Sequence, residues 1–212
     1  MRRSIISAVL GIAALSFTAS LTQAAVSFPA TGPWTVGTTV AAFSTYPITF
    51  NVSGFSGNTL DVDISLNGIT HTFPDDIDAL LVSPTGQKSM FMSDAGLTAD
   101  LVNINYAFSD EASASLQDSP STASPSGTYL PVDFSAGDTM NAPAPVGPYT
   151  APLSNFDGFN PNGVWSLYIM DDASLDAGSI ASATLTIDAP IPEPTTLSAL
   201  AALGTLALRR RR

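Results

Sequence analysis

Hydrophobic and polar residues alternate along several short stretches of this chain. Between these stretches the apolar residues do not recur at the spacing of an amphipathic helix. The clearest stretch, 58–66, has apolar residues at every second position and polar residues between them: Leu60, Val62, Ile64 and Leu66 against Asp61, Asp63 and Ser65. A period of two is the signature of a half-buried β-strand. The Asn67–Gly68 pair that follows predicts a tight hairpin, which would place 60–66 beside 69–73.

Similar patterns predict more strands, while residues 26–46, rich in Ser, Thr and Gly, predict a lead-in with one or two short edge strands. Many short strands separated by turn residues are typical of two packed sheets. The sequence therefore predicts an all-β, antiparallel β-sandwich. Its further strands are expected at 47–55, 77–83, 87–93, 101–108, 164–170 and 179–187.

The N-terminus has the composition of a secretory signal peptide. Arg2 and Arg3 precede an apolar stretch at 5–17, and small residues at Ala24 and Ala25 offer a cleavage site. We expect a signal helix within residues 1–25 and a mature chain that starts near Val26. The alternative is an uncleaved membrane anchor, for which the apolar stretch is short.

The C-terminus carries a second apolar stretch, at 195–208, which is marginal for a membrane span of about 20 residues and suits a transient anchor. A basic cluster follows it, which predicts that the cluster stays in the cytoplasm and the body lies outside. The expected domains are 1–25, 26–188 and 189–212. The residues that make the C-terminal signal are Pro192, Glu193, Pro194, Arg209, Arg210, Arg211 and Arg212.

Charge narrows the choice of partners. Six of the seven basic residues lie in the two terminal segments, so Lys88 is the only one in the body, which holds all but one of the 18 acidic residues. Such a body repels nucleic acid and anionic membranes and suits divalent cations. The chain has no cysteine, which excludes disulfides and thiol ligands.

Two acidic loops are candidate calcium sites, because calcium prefers six to eight oxygen ligands supplied by carboxylates and carbonyls. Neither loop has the glycine and terminal glutamate of an EF-hand. The alternative is that these are solvated turn residues that cap their own backbone. The candidate ligands are Asp75, Asp76 and Asp78 in one loop, and Asp171, Asp172 and Asp176 in the other.

Catalytic chemistry has little support in the sequence. His71 is the only histidine. It alternates with Ile69 and Phe73 on the same face of a predicted strand, which predicts a half-buried structural imidazole. No nucleophile motif such as Gly-x-Ser-x-Gly is present, and one histidine without cysteine argues against zinc. We therefore expect a protein that is not an enzyme.

Aromatic residues offer a candidate surface for stacking on sugars. Trp165 and Tyr168, with Phe156 and Phe159, could form such a platform. The alternation of Trp165 with Leu167 favours a place in the core instead.

Three stretches carry a resemblance to a known family. They are a run from His71 to Gly86 with an acidic corner and a Ser-Pro-x-Gly turn, residues 153–167, and residues 171–178. In this order they resemble the P domain that accompanies subtilisin-type proprotein convertases. The resemblance implies a jelly-roll-like β-sandwich with candidate calcium positions in its acidic loops. It implies no protease, because the P domain is the companion of a catalytic domain.

The C-terminal segment is similar to the PEP-CTERM sorting tail, in which Pro-Glu-Pro, a short apolar helix and an arginine cluster follow one another. The similarity implies export in a Gram-negative-type bacterium that makes exopolysaccharide, and processing by the membrane enzyme exosortase. The combined expectation is a non-catalytic binding or structural module at the cell surface or in the extracellular matrix. It would contact exopolysaccharide or another surface protein. Two alternatives stay open, a carbohydrate-binding module for exopolysaccharide and a hydrolase-associated domain.

Overall fold

The structure, a computed structural model, describes residues 22–96, 98–118, 122–135 and 137–192. Within these ranges the regular structure consists of strands and two short 3₁₀ turns, Pro74–Asp76 and Leu153–Phe156. The strands are β1 (Thr22–Val36), β2 (Ala41–Ala42), β3 (Ile48–Val52), β4 (Asp61–His71), β5 (Ile77–Val82), β6 (Lys88–Ser93), β7 (Leu101–Phe108), β8 (Gly127–Tyr129), β9 (Val132–Asp133), β10 (Gly163–Asp171) and β11 (Gly178–Ile191).

The strands form two sheets, which confirms the all-β prediction. The first sheet has the order β1-β11-β4-β7-β8, and the second has the order β2-β10-β5-β6-β9, with β3 also paired to β10. Two pairs are parallel, β7 with β8 and β6 with β9, so the expectation of purely antiparallel sheets is wrong. The long connection at 109–126 explains the first of these pairs, because only a long connection lets the chain re-enter a sheet in the parallel sense.

The main hydrophobic core lies between the two sheets. Each sheet contributes the apolar residues of its alternating strands, as Ile64 does from β4 of the first sheet and Leu167 from β10 of the second, and both side chains are fully buried. A smaller core lies on the outer face of the second sheet, where Leu80, Met90 and Tyr168 pack beneath the 140–149 loop. The second sheet is therefore covered on both faces, which explains why β5 is a continuous buried run.

The hairpin predicted at Asn67–Gly68 does not form. Strand β4 runs through these residues without a turn, and it is paired with β11 on one side and β7 on the other. Gly68 has a φ of +64°, and the register shifts by one residue between Leu66 and Ile69, so the pair makes a β-bulge. Leu60, expected to face inward, precedes the strand and is 49% exposed.

The N-terminal part of the domain is a long edge strand rather than the predicted lead-in. Strand β1 pairs with β11 from Thr22–Ile191 to Val36–Gly178. Strand β1 begins inside the predicted signal segment and β11 ends inside the predicted tail, so the compact unit is Thr22–Pro192. The rest of the predicted signal peptide and of the sorting tail, 1–21 and 193–212, lies outside the described residues. In the ranges that are described, no helix is long and apolar enough to cross a bilayer.

Candidate functional site

The two predicted acidic loops meet at one end of the second sheet. Antiparallel pairing of β5 with β10 sets Ile77 opposite Asp171. The backbone N–H of Asp172 donates to the carbonyl oxygen of Asp76 at 3.0 Å. Loops that are about a hundred positions apart in the sequence therefore form one acidic end.

Strand alternation divides the six predicted ligands between two faces of the sheet. Residues opposite each other in an antiparallel pair share a face, and successive residues point to opposite faces. Asp171 points into the interior, where its Oδ2 atom lies 3.2 Å from Nε2 of His71. Asp78 points to the outer face, where its Oδ1 atom accepts a hydrogen bond from Ser93. The sequence analysis did not foresee that these aspartates belong to separate sites.

On the outer face, three carboxylates surround the hydroxyl of Ser93. The Ser93 Oγ atom lies 2.8 Å from Asp78 Oδ1, 2.9 Å from Asp94 Oδ2 and 2.8 Å from Asp138 Oδ2. One carboxylate oxygen from each of the three aspartates lies within 4.8 Å of the others. We call Asp78, Asp94, Asp138 and Ser93 the Ser93 cluster.

Burial dominates the electrostatics of the Ser93 cluster. Removal from water raises the pKa of Asp78 to about 8, and the neighbouring Asp138 and Asp172 carboxylates add to the rise. The pKa of Asp94 is raised to about 6, again by burial first and then by Asp138. Ser93 opposes both shifts by hydrogen bonding to the charged forms. Burial and the neighbouring carboxylates therefore favour the protonated forms of Asp78 and Asp94.

Several buried oxygens at this end lack a hydrogen-bond donor. Asp78 is only 2% exposed, and its Oδ2 atom has no partner. Asp133, which pairs with Ser93 through β9 and β6, has an unpartnered buried Oδ1 atom. The Ser93 hydroxyl has one proton and three carboxylate neighbours, so it can satisfy only one of them. Leaving buried acceptors unpaired is costly.

The imidazole of His71 is fully buried, whereas the sequence predicted a half-buried one. Its Nδ1 atom lies 3.0 Å from the carbonyl oxygen of Phe73, and its Nε2 atom faces Asp171. Burial raises the pKa of Asp171, and the adjacent His71 opposes that rise. Strand β4 ends here against β10, so the pair closes one end of the core.

The remaining predicted ligands surround this buried pair. Burial raises the pKa of Asp76 to about 7, with Asp171, Asp176 and Asp172 adding to the rise. Asp176 accepts a hydrogen bond from the Thr72 hydroxyl at 2.9 Å. Burial and the neighbouring Asp138 and Asp171 carboxylates raise the pKa of Asp172. Asp75 is partly exposed on the 3₁₀ turn.

The sequence analysis missed Asp94, Asp138 and Ser93. Asp94 follows the end of β6 with a φ of 52°, a conformation that Asp adopts more readily than most residues. Asp138 comes from the loop after β9 and lies 45 positions from Ser93. No local spacing joins these residues, because the pairing of β5, β6 and β9 brings them together.

A second acidic group, Asp61, Asp63 and Glu111, lies at the other end of β4 and also offers oxygens within 4.8 Å of one another. Burial raises the pKa of Asp61 to about 6, and Asp63 and Glu111 contribute. Asp61 and Asp63 share a strand face, which was visible in the sequence. Their approach to Glu111 depends on the pairing of β4 with β7.

The predicted aromatic platform is mostly core. Trp165 is 1% exposed, donates from Nε1 to the carbonyl oxygen of Pro161 at 2.8 Å and packs against Phe156. Tyr168 is 8% exposed and packs edge-on against Tyr46. Stacking on a sugar would require Trp165 to leave the core. Phe159, in contrast, is 43% exposed.

The single lysine of the body lies away from the acidic end. Lys88 begins β6, whereas Ser93 ends it. Its Nζ atom donates to the carbonyl oxygen of Val146 at 2.7 Å and lies 5.4 Å from the centre of the Tyr149 ring. Lys88 therefore cannot neutralise the Ser93 cluster.

No protein-family model matches the chain, and no curated protein matches it. Solved structures that resemble the fold include the serine protease of Aeromonas sobria in complex with its chaperone, at 13% identity and a TM-score of 0.39, covering 81% of this chain and 27% of that chain. A second structure, of a serine protease of Aeromonas sobria, matches at 13% identity and a TM-score of 0.38, covering 80% of this chain and 27% of that chain. The chain thus spans about a quarter of the length of the proteins it matches. At this level of similarity neither match assigns a function.

Proposed function

We propose that this protein is an exported, non-catalytic binding or structural module that acts at the cell surface or in the extracellular matrix, and that calcium orders its acidic end. In this proposal the body is a jelly-roll-like sandwich of the P-domain type. An exosortase-type enzyme processes the tail near Pro192, Glu193 and Pro194 after transient insertion of the C-terminal helix. The two sheets provide a rigid scaffold for the loops at the acidic end.

The observation that carries the proposal is the convergence of carboxylates at one end of the second sheet. Asp76, Asp78 and Asp94 all have a raised pKa, with burial as the first cause and neighbouring carboxylates as the next. Oxygen-rich loops on a rigid scaffold are the usual setting for calcium. A bound divalent cation would reduce the repulsion between these carboxylates, and its open coordination positions would accept oxygen atoms of a polysaccharide.

The surroundings of His71 support the non-catalytic part of the proposal. Both ring nitrogens face structural neighbours, the backbone of Phe73 and the carboxylate of Asp171. The ring is fully buried, so a substrate has no access to it. A general base must come within hydrogen-bond reach of the proton that it abstracts.

The proposal predicts calcium-dependent binding to the host's own exopolysaccharide. The purified full chain, kept in detergent, should be retained on immobilised exopolysaccharide in calcium and released by EDTA. Magnesium at the same ionic strength controls for non-specific screening. Equal retention in calcium and EDTA would contradict the role of calcium, and no retention in either would contradict matrix binding.

A carbohydrate-binding module is the second candidate, and one exposed ring favours it. Phe134 is 42% exposed, and its backbone N–H donates to the carbonyl oxygen of Ser93, which places it beside the Ser93 cluster. Aromatic faces are common sugar-stacking surfaces. In the same retention assay, Phe134→Ala should weaken binding if the ring contacts sugar. Phe159→Ala tests the exposed ring of the sequence-predicted platform in the same assay, because Phe159 is equally exposed but its carbonyl oxygen accepts a hydrogen bond from Thr59 near the far end of β4. Loss of binding in Phe159→Ala alone would contradict a role for Phe134.

A further inference from the structure

We propose that the Ser93 cluster is a binding site for one hard divalent cation, with calcium as the expected ion. The carboxylates of Asp78, Asp94 and Asp138 and the hydroxyl of Ser93 would be its protein ligands. This inference rests on the proposed function and assigns its calcium site to particular residues. That site differs from the pair of acidic loops that the sequence indicated. Of the six aspartates predicted from the sequence, only Asp78 is a ligand here.

The spacing of the oxygens fits a shared ion. Calcium binds oxygen at about 2.3–2.6 Å, so two ligand oxygens on opposite sides of one ion lie about 5 Å apart at most. The three carboxylate oxygens lie within 4.8 Å of one another. The Ser93 Oγ atom, at 2.8–2.9 Å from carboxylate oxygens of all three, has the separation of neighbouring ligands in a coordination shell.

The chemistry of the ligand set selects the class of ion. The four residues offer only oxygen, and no sulfur or imidazole nitrogen belongs to the group. Oxygen sets favour calcium and magnesium over zinc or copper. The group combines a strand residue, Asp78, with Asp94 and Asp138 from flanking loops, and such adaptable geometry suits calcium better than the strict octahedron of magnesium.

Unpartnered buried oxygens are the second, independent observation. Asp78 is 2% exposed, yet its Oδ2 atom has no hydrogen-bond donor. Its two oxygens share one carbon, so the unpartnered oxygen lies at the cluster. The Oδ1 atom of Asp133, on the strand paired with Ser93, is buried without a donor as well. A cation would satisfy an oxygen that no described donor reaches.

The cation also resolves the surplus of acceptors around Ser93. A hydroxyl has one proton, and three carboxylate oxygens lie within hydrogen-bond distance of Ser93 Oγ. The one lysine among the described residues bonds elsewhere, to Val146. The remaining explanation without metal is that protons occupy the cluster, and this explanation predicts no response to calcium.

The test is a calorimetric titration of the full chain in detergent with calcium chloride. The pH is about 9, one unit above the pKa of about 8 of Asp78, so that the carboxylates are deprotonated and can bind the ion. Wild type should bind calcium at this site, and Asp94→Asn and Asp138→Asn should each weaken that binding by at least about tenfold. Both residues are only partly buried and each substitution keeps the side-chain shape, so the variants should fold. Circular dichroism checks that they do.

Asp118→Asn is the matched control, because it removes one exposed carboxylate outside the cluster and should leave the affinity unchanged. Glu111→Gln tests the other acidic group in the same way. Wild-type affinity in both Asp94→Asn and Asp138→Asn would overturn the proposal. So would loss of binding in Glu111→Gln alone, or absence of any heat with wild type.

These outcomes are separable from failure of the proposed function. If Asp94→Asn and Asp138→Asn keep calcium affinity while wild type still shows calcium-dependent retention on exopolysaccharide, the function stands and the site lies elsewhere. If the two variants lose calcium binding but wild type is not retained, the site stands and matrix binding fails. Magnesium in place of calcium should bind at least about tenfold more weakly, because fewer of its ligands can be rigid protein oxygens; equal affinity would contradict the choice of calcium.

Discussion

Single aspartates at the acidic end set how the stability of the metal-free chain depends on pH. Asp76, Asp78 and Asp94 have folded-state pKa values of about 7, 8 and 6, all above the ordinary value of an aspartate. A group with a raised folded-state pKa stabilises the fold fully below its unfolded pKa, and this contribution is lost as the pH rises through the folded value.

We therefore expect the free energy of unfolding in EDTA to fall between about pH 4 and about pH 8, most steeply below about pH 6, where all three groups bind more protons in the folded than in the unfolded chain. Urea unfolding of the full chain at constant ionic strength measures it. Calcium should flatten or reverse the trend, since it binds the deprotonated carboxylates. A rise in the free energy of unfolding across this window in EDTA would contradict the prediction. It would show that the folded protein already stabilises the ionised carboxylates.

At the same scale, the structure also shows which candidate residues could be found from sequence. Asp75, Asp76 and Asp78 form one local acidic run and Asp171, Asp172 and Asp176 another, so both were visible. Asp94 and Asp138 are isolated acids, and only strand pairing brings them to Ser93. Asp78 and Asp171 lie on opposite faces of the second sheet. This could not be predicted, because it depends on the register between β5 and β10 and on which face of each strand packs on the core.

At the scale of strands, the close approach of β11 to β4 depends on one glycine. A Cβ atom added at Gly178 would lie 2.1 Å from Cδ2 of His71 and 2.6 Å from the carbonyl oxygen of Thr70. Gly178→Ala should destabilise the fold by about 1–3 kcal/mol, because the buried imidazole has no room to move.

Urea unfolding of Gly178→Ala against wild type provides the measurement. Gly37→Ala is the control, because nothing lies within 4 Å of a Cβ built there. It should change stability little, or raise it slightly by restricting the unfolded chain. Equal unfolding free energies for the two variants would mean that β4 and β11 are not packed as described.

Strands were predictable where their signal is local. Strand β7 occupies the predicted 101–108, and β5 and β6 lie within one residue of their predicted ranges. The error at Asn67–Gly68 has a non-local cause, because β11 and β7 already occupy both edges of β4. Strand β1 was missed because Pro29 and Pro33 interrupt its pattern, and its pairing with β11 overrides that weak local preference.

At the scale of the whole compact unit, charge is distributed unevenly. Acidic groups gather at both ends of β4, with the Asp61, Asp63 and Glu111 group at one end and the His71 and Ser93 neighbourhoods at the other. Lys88 lies away from the Ser93 cluster. Like charges at such separations repel each other, more strongly at low ionic strength, and net charge of one sign opposes the compact state. Binding of a divalent cation, as proposed above, would reduce this repulsion.

The most direct test of the calcium account is the melting temperature of the full chain in EDTA and in excess calcium, at about pH 9, where Asp78, with a pKa of about 8, is largely deprotonated. An ion present at a hundred times its dissociation constant stabilises the folded state by about 2.7 kcal/mol. For a domain of this size that corresponds to a rise in melting temperature of about 5–10 °C. A rise of this order in calcium, reduced by about half or more in Asp94→Asn because calcium binds this variant at least about tenfold more weakly, is the result the account predicts. Coincident melting curves in calcium and EDTA would contradict it.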